Sequence, residues 1–202
     1  MFFIDIAAKC HLAAVKVGVM SESFRRMLRA LPDFPAELPD FDPETAPRNP
    51  AELFRQWLNE ALAAGVPQPN ACSLATADAE GRPSARMLIL KDIDGDGWHF
   101  ATSRESRKGQ ELTANPHAAL NFFWQPLGRQ VRVAGDVVEL SAEASAADWR
   151  DRPGADGSTN PAWQLYALRP RELEFWQARH DRRHIRHRYG PQTDGAGAAQ
   201  PS

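Results

Sequence analysis

Residues 71–90, ACSLATADAEGRPSARMLIL, decide the fold, because they contain two strand-like runs joined by a turn signal. The runs cover about 72–77 and 85–91, and Ala79-Glu80-Gly81 marks the turn between them. Strands this short that recur without long helices between them predict a mainly β fold, built as an antiparallel barrel with flanking helices. Similar runs follow, at about 97–102, 118–124, 130–140, 164–168, 172–177 and 183–189.

Three stretches predict helices around this barrel. The first, at 51–64, has Pro50 at its start, and its apolar residues recur at i, i+3 and i+4. The others lie near 106–115 and 142–150. Gly135-Asp136 is a further turn signal, which we expect to interrupt a strand.

Composition excludes several classes of protein. The chain has 202 residues, with 24 Lys and Arg against 26 Asp and Glu, so its net charge is −2. That balance argues against a dedicated nucleic-acid binder. Cys10 and Cys72 are the only cysteines, which excludes a disulfide scaffold and a Cys-based zinc site. With no apolar run near the roughly 18–20 residues of a membrane span and no signal-peptide pattern, we expect a cytoplasmic protein without a membrane partner.

The chain divides into three expected parts. Residues 1–19 read as an N-terminal extension, because a more ordinary polar start begins at Met20. Residues 20–189 form the folded domain. Residues 190–202 are rich in Gly, Ala, Pro and Gln, which predicts a disordered tail.

Two patterns imitate metal sites, and we assign no metal to either. The segment 92–97, DIDGDG, resembles the start of an EF-hand loop, but position twelve is Ser103 rather than Glu, so a hairpin turn explains it better. The three histidines within 180–187 stand among arginines that repel cations. The same run lacks the regularly spaced aromatics of a nucleic-acid surface.

The first of three basic clusters runs from Arg86 to Lys91, with a cation at each end of a strand-like run. On an unbroken strand residues five apart face opposite sides, so the two cations serve different ligands or a bulge lies between them. Two solvent-exposed strand ends are the alternative.

The second cluster surrounds the predicted start of a helix. Ser106 is placed as its N-cap, with Arg107 and Lys108 in the first turn and Thr102 just before. Cations there oppose the helix dipole unless an anion lies among them. Backbone N–H groups, hydroxyls and two cations together predict a phosphate site.

The third cluster is the run 182–188. If it is a strand, Arg182, His184, Arg186 and Arg188 share one face and repel each other unless an anionic or electron-rich group covers them. Trp176 is placed to supply an aromatic wall. A solvent-exposed basic strand is the alternative.

Together these clusters resemble the pyridoxine/pyridoxamine 5′-phosphate oxidase family of FMN-binding split barrels. The resemblance covers roughly residues 22–153 and 163–189, with the motifs in family order and near-family spacing. The matching segments are Pro69–Ala71, Leu74–Asp78, Gly81–Ser84, Arg86–Lys91, Ser106–Gly109, Asn115–Pro116, Arg129–Val131, Arg152–Pro153 and Glu174–Gln177.

The resemblance implies a homodimer in which two subunits build each site. It places Lys91 and Arg152 at the phosphate of the substrate. It also implies that Arg182 and His184 lie over the substrate's pyridine ring as the catalytic residues. The residues implied to line the FMN are Arg86, Met87, Leu88, Ile89, Leu90, Lys91, Ala101, Thr102, Arg107, Lys108, Gln130, Trp176 and Arg186.

The implied reaction is oxidation of the 4′ carbon of a vitamin B6 phosphate to pyridoxal 5′-phosphate. The flavin accepts the hydride, and O2 is the final acceptor, which gives H2O2. Two alternatives remain open: a tailoring oxidase of another aromatic, as in the phenazine-pathway relatives of this family, and a non-catalytic flavin-binding split barrel.

Three departures from the family pattern fall in the substrate half. Asp148 stands where the family has a Tyr beside the substrate phosphate, and Asp156 stands where it has a phosphate-binding Ser. The segment 154–162 is shorter than in the family and lacks a Gln-Ser pair that contacts FMN. Because an acid repels a phosphate, we expect preserved flavin binding and weakened binding of the B6 phosphate.

Overall fold

The computed structural model describes residues 23–190, and the chain divides into two units, the first ending at Asp33 and the second beginning at Phe34. In the first unit, residues 23–29 are helical. The second unit holds the sheet. The expected extension at 1–19 lies outside the described residues, as does the expected tail except Gly190, which directly follows the last strand.

The second unit is mainly β, as the sequence predicts, and contains three α-helices. Two 3₁₀ turns, Pro43–Thr45 and Gln125–Leu127, accompany them. The elements in chain order are α1 Pro50–Ala63, β1 Ala71–Ala77, β2 Pro83–Ile89, β3 Asp92–Ile93, β4 Trp98–Ser103, α2 Arg107–Ala114, β5 His117–Trp124, β6 Arg129–Glu139, α3 Ala142–Asp151, β7 Trp163–Gln177 and β8 Ile185–Tyr189. Among the described residues, no helix is long and apolar enough to cross a membrane.

All strand pairs are antiparallel, in the order β2-β1-β5-β6-β7-β4-β3, and β8 pairs with the second half of β7. The sheet curls back on itself, because the Lys91 N–H donates to the His99 carbonyl across 2.8 Å between the end of β2 and β4. This architecture is a split barrel.

Strand β7 corrects the sequence prediction of two separate strands at 164–168 and 172–177. It is continuous, and its first half pairs with β4 while its second half pairs with β8. The expected turn at Gly135-Asp136 is also wrong. Strand β6 continues through it with a register shift: Ala134 pairs with Glu172 and Gly135 with Pro170, so the extra, bulged residue is Arg171 on β7. At Gly135 a side chain would overlap the Arg169 carbonyl, so the bulge needs glycine there.

Helix α1 completes the core. Its Phe54 ring lies 4.5 Å from Trp98 and 4.8 Å from Phe122, and Trp57 lies 5.2 Å from Phe175. Asn49 caps this helix by accepting from the Ala51 N–H at 2.9 Å. The apolar pattern of α1 therefore faces the inner side of the barrel.

Side-chain alternation divides the sheet into an inner and an outer face. Residues that pair with one another across six strands form rows. One row is apolar except for Arg86 and faces the core, and the neighbouring row is polar except for Met87 and faces outward. The inner row contains Arg86, Leu74, Leu120, Val133, Leu173 and Tyr189. The outer row contains Met87, Ser73, Asn121, Arg132, Glu174 and Arg188.

Candidate functional site

The first part of the site is a cluster of charges around the buried carboxylate of Glu111 in helix α2. Arg86 Nη2 lies 3.1 Å from its Oε2, and Arg107 Nε lies 2.8 Å from its Oε1. The hydroxyls of Ser84 and Thr76 donate to the same carboxylate. These hydrogen bonds, first that from Ser84 and then that from Thr76, lower the pKa of Glu111 to about 2. The carboxylate is therefore charged and holds Arg86 and Arg107 in place.

The N-terminus of α2 adds anion-binding groups to this cluster. Ser106 is the N-cap, accepting from the Gly109 N–H at 3.2 Å, and its hydroxyl lies 3.1 Å from that of Thr102. Burial lowers the pKa of Lys108, and the nearby Arg86 cation lowers it further. Two arginines thus contact one carboxylate and Lys108 lies near Arg86, which leaves excess positive charge at a helix start where backbone N–H groups point outward. This donor set fits a phosphate.

The second part is a row on the outer face. Gln130 on β6 pairs with Trp176 on β7, and Trp176 pairs with Arg186 on β8. Phe123 continues the row on β5 and is 52% exposed. An amide, an indole, a guanidinium and a phenyl ring in one line form a platform that suits a flat aromatic ring system.

His184 lies against this platform. Its ring centroid is 4.7 Å from that of Trp176, and its Nδ1 accepts from the Arg179 backbone N–H at 3.1 Å. Because Nδ1 accepts, the neutral ring carries its proton on Nε2, which makes Nε2–H a hydrogen-bond donor.

The expected strand at 183–189 is wrong at its start. Strand β8 begins at Ile185, so Arg182 and His184 lie in a turn rather than on the strand face shared by Arg186 and Arg188. Arg182 has φ 63°, in the left-handed region, and its N–H donates to the Arg179 carbonyl. Such a conformation costs a non-glycine residue about 1–3 kcal/mol, and it is common at functional sites.

The third part lies where α3 meets the end of β2. Lys91 Nζ is 3.1 Å from Asp148 Oδ1, and the Trp163 indole donates to Asp148 Oδ2 at 2.8 Å. The Arg152 guanidinium carbon lies 3.1 Å from the ring centroid of Trp149. Both cations implied at a substrate phosphate therefore already have partners within the chain.

The structure brings the predicted residues together as three groups. Sequence reasoning missed Glu111, although its i, i+4 spacing from Arg107 is a signal for such a pair. Alternation places Met87 and Ile89 on the outer face and Arg86 and Leu88 on the other, and Leu90 is buried. The three groups are Arg86, Thr102, Arg107 and Lys108; Gln130, Trp176, Arg186 and His184; and Lys91 with Arg152.

The segment 92–97 forms the expected hairpin between β3 and β4. Within the described part of the chain, ligand atoms of Asp92, Asp94 and His99 lie within 4.8 Å of one another. Asp94 Oδ1 is 2.9 Å from His99 Nε2.

Family models match most of the folded region. One described as pyridoxamine 5′-phosphate oxidase matches residues 58–177, and one described as pyridoxine 5′-phosphate oxidase C-terminal dimerisation region matches residues 163–198. A split barrel with a phosphate cradle and an aromatic platform, matched in this way, is an FMN-dependent oxidoreductase. The chain belongs to the pyridoxamine 5′-phosphate oxidase family.

Two curated relatives named pyridoxine/pyridoxamine 5′-phosphate oxidase are similar to this chain in sequence. The protein of Bordetella petrii is 42% identical over 186 residues, which cover 76% of this chain and 88% of the relative. The protein of Salinibacter ruber is 42% identical over 184 residues, covering 74% and 85%.

Solved structures show the same fold. PhzG from Burkholderia lata 383, in complex with tetrahydrophenazine-1-carboxylic acid, has a TM-score of 0.73 at 28% identity and covers 82% of this chain and 98% of its own. A pyridoxamine 5′-phosphate oxidase-related, FMN-binding protein from Nostoc punctiforme has a TM-score of 0.63 at 18% identity, covering 78% and 99%.

The Glu111 cluster predicts an acid-dependent stability. The folded pKa lies below the ordinary value of 4.5, so the carboxylate stabilises the fold above that pH, and its contribution is lost as the pH falls towards 2. Glu111→Gln should lower the free energy of unfolding by about 2–3 kcal/mol at pH 7, with a gap to the parent that narrows below about pH 4.5. Urea unfolding at several pH values measures this. The exposed Glu105→Gln is the matched control, and a pH-independent gap for Glu111→Gln would contradict the assignment.

Proposed function

We propose that this protein is an FMN-dependent oxidase of an aromatic substrate that works in the cytoplasm with O2 as final acceptor. The single observation that carries the proposal is the phosphate cradle around Arg86, Arg107 and Lys108, formed in a chain of this family. Two electrons and two protons leave the substrate and reduce O2 to H2O2.

In this proposal the FMN phosphate binds at the start of α2. Lys108 and the two arginines hold it, Thr102 and Ala101 lie beside the ribityl chain, and the stretch 86–91 lines the ring system. The outer-face row of Gln130, Trp176 and Arg186 supplies the remaining wall. When bound, the flavin supplies a hydride acceptor that no amino-acid side chain provides.

Lys108→Ala tests the phosphate assignment. The change removes a charge-assisted hydrogen bond worth about 1.5–3 kcal/mol, so FMN should bind roughly 10- to 100-fold more weakly. Riboflavin, which has no phosphate, should bind the parent poorly and be insensitive to the change. Fluorescence titration measures both affinities, with the exposed Arg82→Ala as the matched loss of a surface cation. Equal FMN affinity in Lys108→Ala and parent would refute the role.

Two subunits build each flavin site in this proposal. Arg86 belongs to the inner row, whereas Gln130, Trp176 and Arg186 lie on the outer face, so one protomer does not wrap both groups around one flavin. The outer face also exposes apolar side chains, with Met87 at 67%, Phe123 at 52% and Ile89 at 41%. A second copy that covers this face and presents its own Trp176 row explains both features, and the dimerisation-region match supports it.

Phe123→Asp tests the homodimer. The parent should sediment at about twice 22.5 kDa. A charge at the centre of the covered face should give monomers with weakened FMN binding, because burying an unpaired carboxylate costs several kcal/mol. Leu62→Asp, at an exposed apolar residue of α1, is the control and should leave the dimer intact. An FMN-loaded parent that is monomeric at micromolar concentration would rule the arrangement out.

His184 acts in this proposal as a donor to the substrate, and Arg182 lies beside it in the turn. The Nε2–H is directed by the bond at Nδ1, and the Trp176 contact fixes the ring. The hydrogen bond holds the substrate in a fixed orientation from which its hydride can leave.

The substrate has two candidates. A vitamin B6 phosphate, oxidised at its 4′ carbon, is supported by the 42%-identical relatives and by the presence of Lys91 and Arg152. An unphosphorylated aromatic of the phenazine type is favoured by the Lys91–Asp148 pair and by the likeness to PhzG.

Anaerobic reduction tests the oxidase proposal. Pyridoxamine 5′-phosphate, pyridoxine and a panel of tricyclic aromatics are added in turn to the yellow protein, and bleaching of the flavin is followed; admitted O2 should restore the colour and yield H2O2. His184→Phe keeps a ring beside Trp176 but removes the donor, and should slow bleaching about 10- to 100-fold. The exposed His180→Phe is the matched control. A protein that binds FMN and is bleached by none of these compounds would support a non-catalytic flavin protein instead.

A further inference from the structure

We propose that Asp148 is a built-in counter-ion that occupies the phosphate position of the substrate pocket, so that the substrate of this enzyme is a planar aromatic without a phosphate group. The inference rests on the proposed function for the place of the pocket. It identifies Asp148 as the residue that decides between the two substrate candidates, a vitamin B6 phosphate and an unphosphorylated aromatic.

The carboxylate of Asp148 is held at both oxygens. Oδ1 lies 3.1 Å from Lys91 Nζ, and Oδ2 accepts from the Trp163 indole at 2.8 Å. The side chains of Lys91 and Asp148 are 22% and 13% exposed, so water screens the pair only in part. Lys91 therefore already has the anion that a substrate phosphate would otherwise supply.

Arg152 also already has a contact partner within the chain. Its guanidinium stacks on Trp149, whose indole donates to the Ser158 carbonyl at 2.8 Å and whose ring lies 5.2 Å from Trp163. The buried Arg152 Nε has no hydrogen-bond partner. A planar cation fixed on an aromatic face presents one edge of donors, which suits a single carboxylate or carbonyl group.

The charges at this end therefore do not suit a phosphate ester, which carries about −1.5 to −2 at pH 7. Lys91 and Asp148 cancel, so of the two cations implied at the substrate phosphate Arg152 alone keeps a net charge. A phosphate entering the pocket would have to displace Asp148 from Lys91 or bind beside a carboxylate. An uncharged substituent meets no such opposition, and a single carboxylate meets less of it than a phosphate does, so the pocket selects unphosphorylated aromatics.

The test compares two probes that differ only in the phosphate: 4-deoxypyridoxine and 4-deoxypyridoxine 5′-phosphate, neither of which has an oxidisable group on the 4′ carbon. Calorimetry with the FMN-loaded protein gives both affinities. In the parent the phosphate should improve binding by no more than about threefold. In Asp148→Asn, which keeps the size and an acceptor for Trp163, the phosphorylated probe should bind about 10- to 100-fold more tightly, because Lys91 regains a charge-assisted bond.

Asp151→Asn is the matched control, because it removes the same charge from an exposed position of the same helix. It should leave both affinities unchanged, and in Asp148→Asn the affinity for the unphosphorylated probe should also stay within threefold of the parent value. A melting curve checks each variant. If Asp148→Asn does not fold, Asp148→Tyr replaces it, with the same expected direction.

The inference is overturned if the parent prefers the phosphorylated probe tenfold or more. It also fails if the Asp148 variant strengthens both probes equally, or if that variant does not bind the phosphorylated one. The proposed function is tested separately: it is contradicted if the protein does not bind FMN or if no substrate bleaches the flavin. In that case the same calorimetry on flavin-free protein still tests the Lys91–Asp148 pair. Steady-state oxygen consumption adds a second readout: Asp148→Asn should lower KM for a B6 phosphate, because a remote phosphate contributes mainly uniform binding.

Discussion

Strict alternation of side chains across the hydrogen-bonded strands is the constraint on which the rest of this structure depends. Once β1 pairs with β2 and β5 in the observed register, Arg86 must share a face with Leu74, and Met87 must share the other face with Ser73 and Asn121. Pairing carries this division through β6 and β7 to β8. The cations of the phosphate cradle and the aromatic platform around Trp176 are consequently placed on opposite sides by backbone geometry alone.

Buried carboxylates then decide what each basic cluster can do. Glu111 binds Arg86 and Arg107, and Glu174, which is 4% exposed, binds Arg132 and Arg188. In each case one acid fixes two arginines, and the ion pairs offset the conformational entropy that the arginine side chains lose on ordering. The basic patches that stand out in the sequence are therefore charge networks, each organised around an acid.

Much of the fold could be predicted from the sequence, because period-2 runs, turn signals and the Pro50 helix start are local. The prediction failed where tertiary pairing overrides local signals. Gly135 looks like a turn but lies within β6 opposite a bulge, since β7 carries an extra residue, Arg171, between the partners of Ala134 and Gly135. The cations of the site were visible as sequence motifs. The pairing of Lys91 with Asp148 was not, because the two residues lie far apart along the chain. No spacing rule joins two residues that meet only after the barrel closes.

The two ends of the proposed pocket differ in how many cations share one acid. This difference decides which end can accept a phosphate. At the proposed flavin end two arginines contact Glu111 and Lys108 lies near Arg86, so positive charge remains for a cofactor phosphate after the internal pairs are formed. At the other end one lysine faces Asp148, and the pair is neutral. At an effective dielectric near 20, a charge about 4 Å away contributes roughly 4 kcal/mol, enough to reverse the preference for a phosphate. An acidic replacement at the flavin end would leave a cation excess, whereas at the substrate end a single aspartate removes it.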